Sequence, residues 1–102
     1  MMPISTYPLG QTVHIETATA FTDAAGDPVA PDTVTLTVRE PSPDYTETVY
    51  TGGDLTSPST GVYYRDVTPD VPGQWHYRWS GTIGSSVAVD EDTFRVLTSP
   101  FT

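Results

Sequence analysis

The 102-residue chain has no cysteine and no lysine, and each absence closes off a class of function. Without cysteine there is no disulfide framework, no thiolate nucleophile and no cysteine-ligated zinc. Without lysine the only cations are Arg39, Arg65, Arg78 and Arg95, set against 13 acidic residues for a net charge of −9. A field of that sign repels phosphate backbones, so nucleic-acid binding is excluded as an expectation. No apolar run reaches membrane-spanning length, which argues against a membrane partner. The start, Met1-Met2-Pro3-Ile4, has neither a basic nor an apolar leader region, and suggests a chain used from the cytosol or carried out inside something larger. Helical periodicity is missing throughout.

Hydrophobic content is only 36%, yet the apolar residues are periodic. Without periodicity such a composition would read as disorder; with a period of two it reads as thin sheets. The clearest segment is Gly73-Gln74-Trp75-His76-Tyr77-Arg78-Trp79, which places Trp75, Tyr77 and Trp79 on one face and His76 and Arg78 on the other. It is joined to the strand around Tyr63 and Tyr64 by a Pro-bracketed turn at residues 68–72.

The same alternation predicts a long first strand over residues 13–21, a second around Val34, Leu36 and Val38, and a third over 45–51. Residues 54–57 read as a short edge strand or a loop, 82–86 as a Gly/Ser loop, and 87–97 as the last strand with Phe94 and Val96 inward. Asp23-Ala24-Ala25-Gly26-Asp27-Pro28 carries turn chemistry. Six or seven short strands at near-regular spacing indicate an all-β, immunoglobulin-like antiparallel β-sandwich, with a small closed barrel as the competing solution. The expected layout is an N-terminal arm at 1–10, one sandwich domain at 11–97 and a C-terminal tail at 98–102.

Catalytic, cofactor and metal residues find no pattern to rest on. His14 and His76 are the only imidazoles, and both fall on polar faces of strands without a third ligand at metal-binding spacing. Asp90-Glu91-Asp92, with Asp23, Asp27, Asp44 and Asp54, could be gathered around Ca²⁺, but no EF-hand spacing is present and a solvated acidic loop is the plainer reading. Ser57, Ser59, Ser85 and Ser86 lie in turns, with no Gly-x-Ser-x-Gly elbow. The chain therefore reads as a non-enzyme. Contact residues are expected instead. Tyr63 and Tyr64 must point to opposite faces, so at least one is outward; Tyr64 is expected as a contact residue, and the arms carry apolar Met2, Ile4, Tyr7 and Phe101 for docking.

The series Gly10-Gln11-Thr12-Val13-His14-Ile15, Phe21-Thr22-Asp23-Ala24-Ala25-Gly26-Asp27-Pro28-Val29, Val34-Thr35-Leu36-Thr37-Val38-Arg39-Glu40-Pro41, Gly61-Val62-Tyr63 and Pro72-Gly73-Gln74-Trp75-His76-Tyr77-Arg78-Trp79 resembles small immunoglobulin-like proteins of tailed bacteriophages of high-GC actinobacteria. The resemblance covers nearly the whole chain except the arms. It implies a multi-copy virion part, assembled in the host cytoplasm, whose partners are other virion proteins: major capsid, portal or connector, or tail subunits. Neck adaptors in such particles are typically helical and tail-tube subunits longer, which leaves a head decoration or a β-rich head–tail connector. The second class of reading is a carbohydrate- or cell-surface-binding module of an adhesin or tail fibre, with exposed Tyr and His76 as its contact face.

Overall fold

A computed structural model describes residues 5–17, 19–41 and 44–98. Eight strands and one 3-10 turn follow in the order β1 (Ser5–Pro8), β2 (Val13–Glu16), β3 (Thr33–Arg39), β4 (Glu47–Thr51), the 3-10 turn (Gly52–Asp54), β5 (Thr56–Ser59), β6 (Val62–Val67), β7 (Gly73–Ile83) and β8 (Ser86–Leu97). They form a five-stranded sheet, β1-β8-β7-β3-β4, and a three-stranded sheet, β2-β6-β5. Every pairing is antiparallel except β1 with β8, which is parallel. This is the immunoglobulin-like arrangement: β2 to β8 take the places of strands B, C, C′, D, E, F and G, and β1 lies beside the last strand.

Strict alternation builds the core. Val34, Leu36 and Val38 of β3, Trp75 and Trp79 of β7, and Phe94 and Val96 of β8 are buried against Val13 and Ile15 of β2. Trp79 and Leu36, opposite one another in register, are 0% exposed. Trp75 stacks on Phe94 with ring centroids 5.9 Å apart and planes 12° apart. Burying these aromatics removes ~150–250 Å² each from water and supplies the main stabilisation of the sandwich. The Trp75 indole N–H also donates to the Val71 carbonyl at 2.9 Å, so the crossover into β7 is pinned by the first tryptophan of the strand. That bond does the work of the tyrosine corner in related sandwiches.

One end of the sandwich is closed by Phe21. Its backbone N–H donates to Gly61 O and its carbonyl accepts from Val29, while its ring lies edge-on to Tyr63 at 6.1 Å. Gly61, at φ +80°, sits so close that a β-carbon there would stand 2.8 Å from the Phe21 carbonyl oxygen, so glycine is required on both counts.

Several boundaries differ from the sequence reading, each for a local reason. The strand expected over 13–21 stops at Glu16, because Thr17 turns its hydroxyl to the Tyr63 N–H (3.3 Å) and ends the ladder. The loop expected at 82–86 shrinks to two residues, since β7 runs to Ile83 and β8 starts at Ser86. Gly84 at φ +61°, followed by Ser85 at negative φ, makes the tight hairpin turn with glycine in its first central position. Asp32 secures it by accepting the Gly84 N–H at 3.0 Å. Residues 54–57 divide between the 3-10 turn and the edge strand β5. The N-terminal arm is corrected in part: Ser5–Pro8 is a strand of the larger sheet, not a free extension.

Candidate interaction surfaces

The sequence-predicted contact residues separate. Met2, Ile4 and Phe101 lie outside the described residues. Tyr7 does not face outward: from β1 it sets its ring edge against Phe94, centroids 5.9 Å apart at 83°, and so belongs to the domain's own packing. Tyr64 is on the outer face of the three-stranded sheet as expected, half-buried beneath a neighbour. That neighbour is His14, whose ring lies 4.5 Å from the Tyr64 ring.

His14 is held from three sides. Its Nδ1 is 2.7 Å from Asp66 Oδ1 and its Nε2 is 2.9 Å from Glu16 Oε1. Both oxygens are acceptors, so satisfying both bonds requires both ring nitrogens to donate, which is the imidazolium. The hydrogen bond to Glu16, then that to Asp66, raises the His14 pKa above its usual 6.5 against a small opposing desolvation. The group is an exposed electrostatic clasp between β2 and β6.

His76 occupies the opposite surface. On the outer face of the five-stranded sheet it shares a shallow depression of about 580 Å³ with Thr37, Thr93 and two cross-strand ion pairs, Arg39 to Glu47 and Arg78 to Glu91. The depression is open to solvent, and its two arginines are each paired with a glutamate. Among the described residues, no group of three or more His, Asp or Glu side chains is arranged to hold a metal ion.

The acidic residues considered for Ca²⁺ are committed elsewhere or scattered. Asp23 accepts the backbone N–H groups of Ala25 (2.9 Å) and Asp27 (3.1 Å) within its own turn, and Asp54 accepts that of Thr51 at 3.2 Å. Asp90, Glu91 and Asp92 are in the middle of β8, within the last strand expected over 87–97, and not in a solvated acidic loop. Register places Asp90 opposite Trp79 and Asp92 opposite Tyr77, so both carboxylates are on the core-side face of the sheet yet exposed. Burial, then Asp92 and Asp90, push the Tyr77 hydroxyl up to about 12.

Two features escaped the sequence reading. Arg65 faces the interior of the sandwich from β6, its guanidinium 4.6 Å from the centroid of the Tyr50 ring and its Nη1 donating to the Asp54 carbonyl at 3.0 Å. The signal was its parity with Tyr63 and Val67; the charge argued the other way. The second is the edge of β8: β1 pairs only with Phe94, Arg95, Val96 and Leu97, leaving residues 86–93 with no strand on that side among the described residues.

No family model matches the chain, and no curated protein matches it. One solved structure does, a crystal structure from Bacteroides vulgatus ATCC 8482 named "putative glycoside hydrolase", with a TM-score of 0.57 and 17% identity over 93% of this chain. The match spans 16% of that longer chain. At this identity the likeness is one of fold.

Proposed function

We propose that the chain is a non-enzymatic structural component of a tailed-phage virion, a head decoration or head–tail connector protein that docks onto neighbouring virion subunits in many copies. The observation that carries the reading is where the chemistry lies. The interior is filled by Trp75, Trp79, Phe94, Leu36 and Ile15, with Arg65 tied to the Asp54 carbonyl at its side, while most charged groups stand on open sheet faces and edges. An active site needs convergent polar groups in a sheltered cavity; a docking protein needs a rigid body with broad accessible surface. The resemblance supplies the setting, a virion assembled in the host cytoplasm.

The test is quantitative mass spectrometry of particles produced by the genome that encodes the chain. The expected result is a fixed ratio to the major capsid protein, compatible with the symmetry of the head or the neck. Purified, infectious particles lacking the chain would overturn the reading.

A carbohydrate- or cell-surface-binding module is the second reading. In its favour, the matched solved structure is a longer chain named as a putative glycoside hydrolase, of which an Ig-like piece is a small part, and Tyr45 is 59% exposed. Saturable binding of a glycan by the isolated monomer, lost on changing Tyr45, Tyr64 or His76, would favour it over the virion reading.

A further inference from the structure

The free edge of β8 is long for an unprotected one. Residues 86–93 pair with β7 on one side; on the other, among the described residues, no strand lies beside them, and the Thr93 N–H is donated to Asp92 Oδ1 at 2.8 Å. An edge of this kind is a template for a further strand. The side chains along it then decide which strand.

Glu91 points to the outer face, where Arg78 pairs with it at 2.7 Å. Asp90 and Asp92 point to the inner face and have no cationic partner among the described residues. The inner face here is open: Ala88, Asp90 and Asp92 on it are all exposed. On the outer face, in line with Glu91, Val87 and Val89 are 65% and 55% exposed, so the edge offers apolar contact on the side opposite Asp90 and Asp92.

Charge disfavours the simplest occupant. A second copy of this chain paired antiparallel about Glu91 would bring Asp90 against Asp92 and Asp92 against Asp90, and like charges facing each other across a ladder are destabilising. An extended segment carrying Lys or Arg at alternate positions does the reverse: it completes the ladder and sets its cations on the face of Asp90 and Asp92. We infer that residues 86–93 of β8 form a strand-acceptor edge for a basic, extended segment of another protein. This goes beyond the virion reading and does not depend on it, since it concerns the isolated domain.

The probe is a short capped peptide alternating Lys with Thr, added at low ionic strength to the full chain, with amide hydrogen exchange and NMR shifts as readouts. Saturable binding should protect alternate amides within residues 86–93, weaken as salt rises, and fall about tenfold in Asp90→Asn/Asp92→Asn. A peptide with Glu in place of Lys should not bind. Several results would overturn the inference: no saturable binding up to about 1 mM peptide, binding without protection of those amides, or equal binding by the double variant. It also fails if the double variant self-associates through this edge while the native chain ignores the Lys peptide. The carboxylates would then serve only to keep copies apart.

Discussion

Changing each tryptophan to phenylalanine separates burial from hydrogen bonding, which the two positions combine in opposite ways. Trp75 and Trp79 project from the same face of β7, at 6% and 0% exposure, so burial alone ranks Trp79 as the more costly to shrink. Each substitution removes a similar set of buried ring atoms, on the order of 1–2 kcal/mol in transfer and cavity terms. The indole N–H groups differ. That of Trp75 is bonded to Val71 O at 2.9 Å, whereas that of Trp79 is buried with no acceptor among the described residues. Losing a formed bond costs about 0.5–1.5 kcal/mol, while deleting a buried, unpaired donor recovers about 1–3 kcal/mol.

The expected outcome is therefore an inversion of the burial ranking. Trp75→Phe should destabilise by about 2 kcal/mol and Trp79→Phe should lie within about 1 kcal/mol of the native protein. Urea unfolding followed by fluorescence measures both, since each variant keeps one tryptophan as reporter and equal m-values certify comparable unfolded states. Trp79→Phe proving more destabilising than Trp75→Phe would refute the reasoning, because a satisfied Trp79 N–H is then required. Truncation to alanine at Trp75 removes packing as well and should cost about 3–5 kcal/mol, a large part of the roughly 5–15 kcal/mol expected for the whole domain.

Three further outcomes follow from the geometry. The His14 clasp should make stability pH-dependent: its folded-state pKa is raised, so its contribution is fully present below 6.5 and is lost as pH rises through the folded value. Thermal melts across that window should show a decline that is smaller in Asp66→Asn, and an NMR titration that leaves His14 at or below 6.5 would contradict the clasp. Gly81→Ala places a β-carbon 2.6 Å from the Phe21 ring, so the end plug must shift, at about 1–3 kcal/mol by calorimetry; an unchanged melting temperature would refute the packing there. Deleting residues 1–8, which an arm-like reading would treat as harmless to folding, removes β1 and the Tyr7–Phe94 contact. The deletion should lower stability by about 2–4 kcal/mol in urea, and unchanged stability would return those residues to the status of a tail.

What the sequence made legible is what a period of two can carry. Trp75, Trp79, Phe94, Val96, Val34, Leu36 and Val38 are all inward as their alternation predicts, because facing is a local property of a strand. What it hid depends on partners distant in the chain. Residues 5–8 are only four long and end in proline, so they carry no readable alternation of their own; they become β1 because Phe94 to Leu97 offer a ladder and Phe94 offers a surface for Tyr7. Gly84 fell within the expected 82–86 loop and is the hairpin turn, whereas Gly81 is inside β7, its missing side chain making room for the Phe21 ring. Parity put Tyr63 and Tyr64 on opposite faces without saying which is outward; that choice, and the tilted His14 ring beside Tyr64, needed the β2–β6 register.

The same cause accounts for the uneven composition of β8. Where β1 lies alongside, its core-side residues are Phe94 and Val96, both buried; where the cover stops, the same side carries Ala88, Asp90 and Asp92, all exposed. Core-facing position in a sheet calls for apolar residues only where a second layer closes over it, and the sequence changes character at the residue where that closure ends. Acidic residues at 90 and 92 are thus no exception to the alternation rule. They mark the boundary between the part of the strand that holds this domain together and the part left available to another chain.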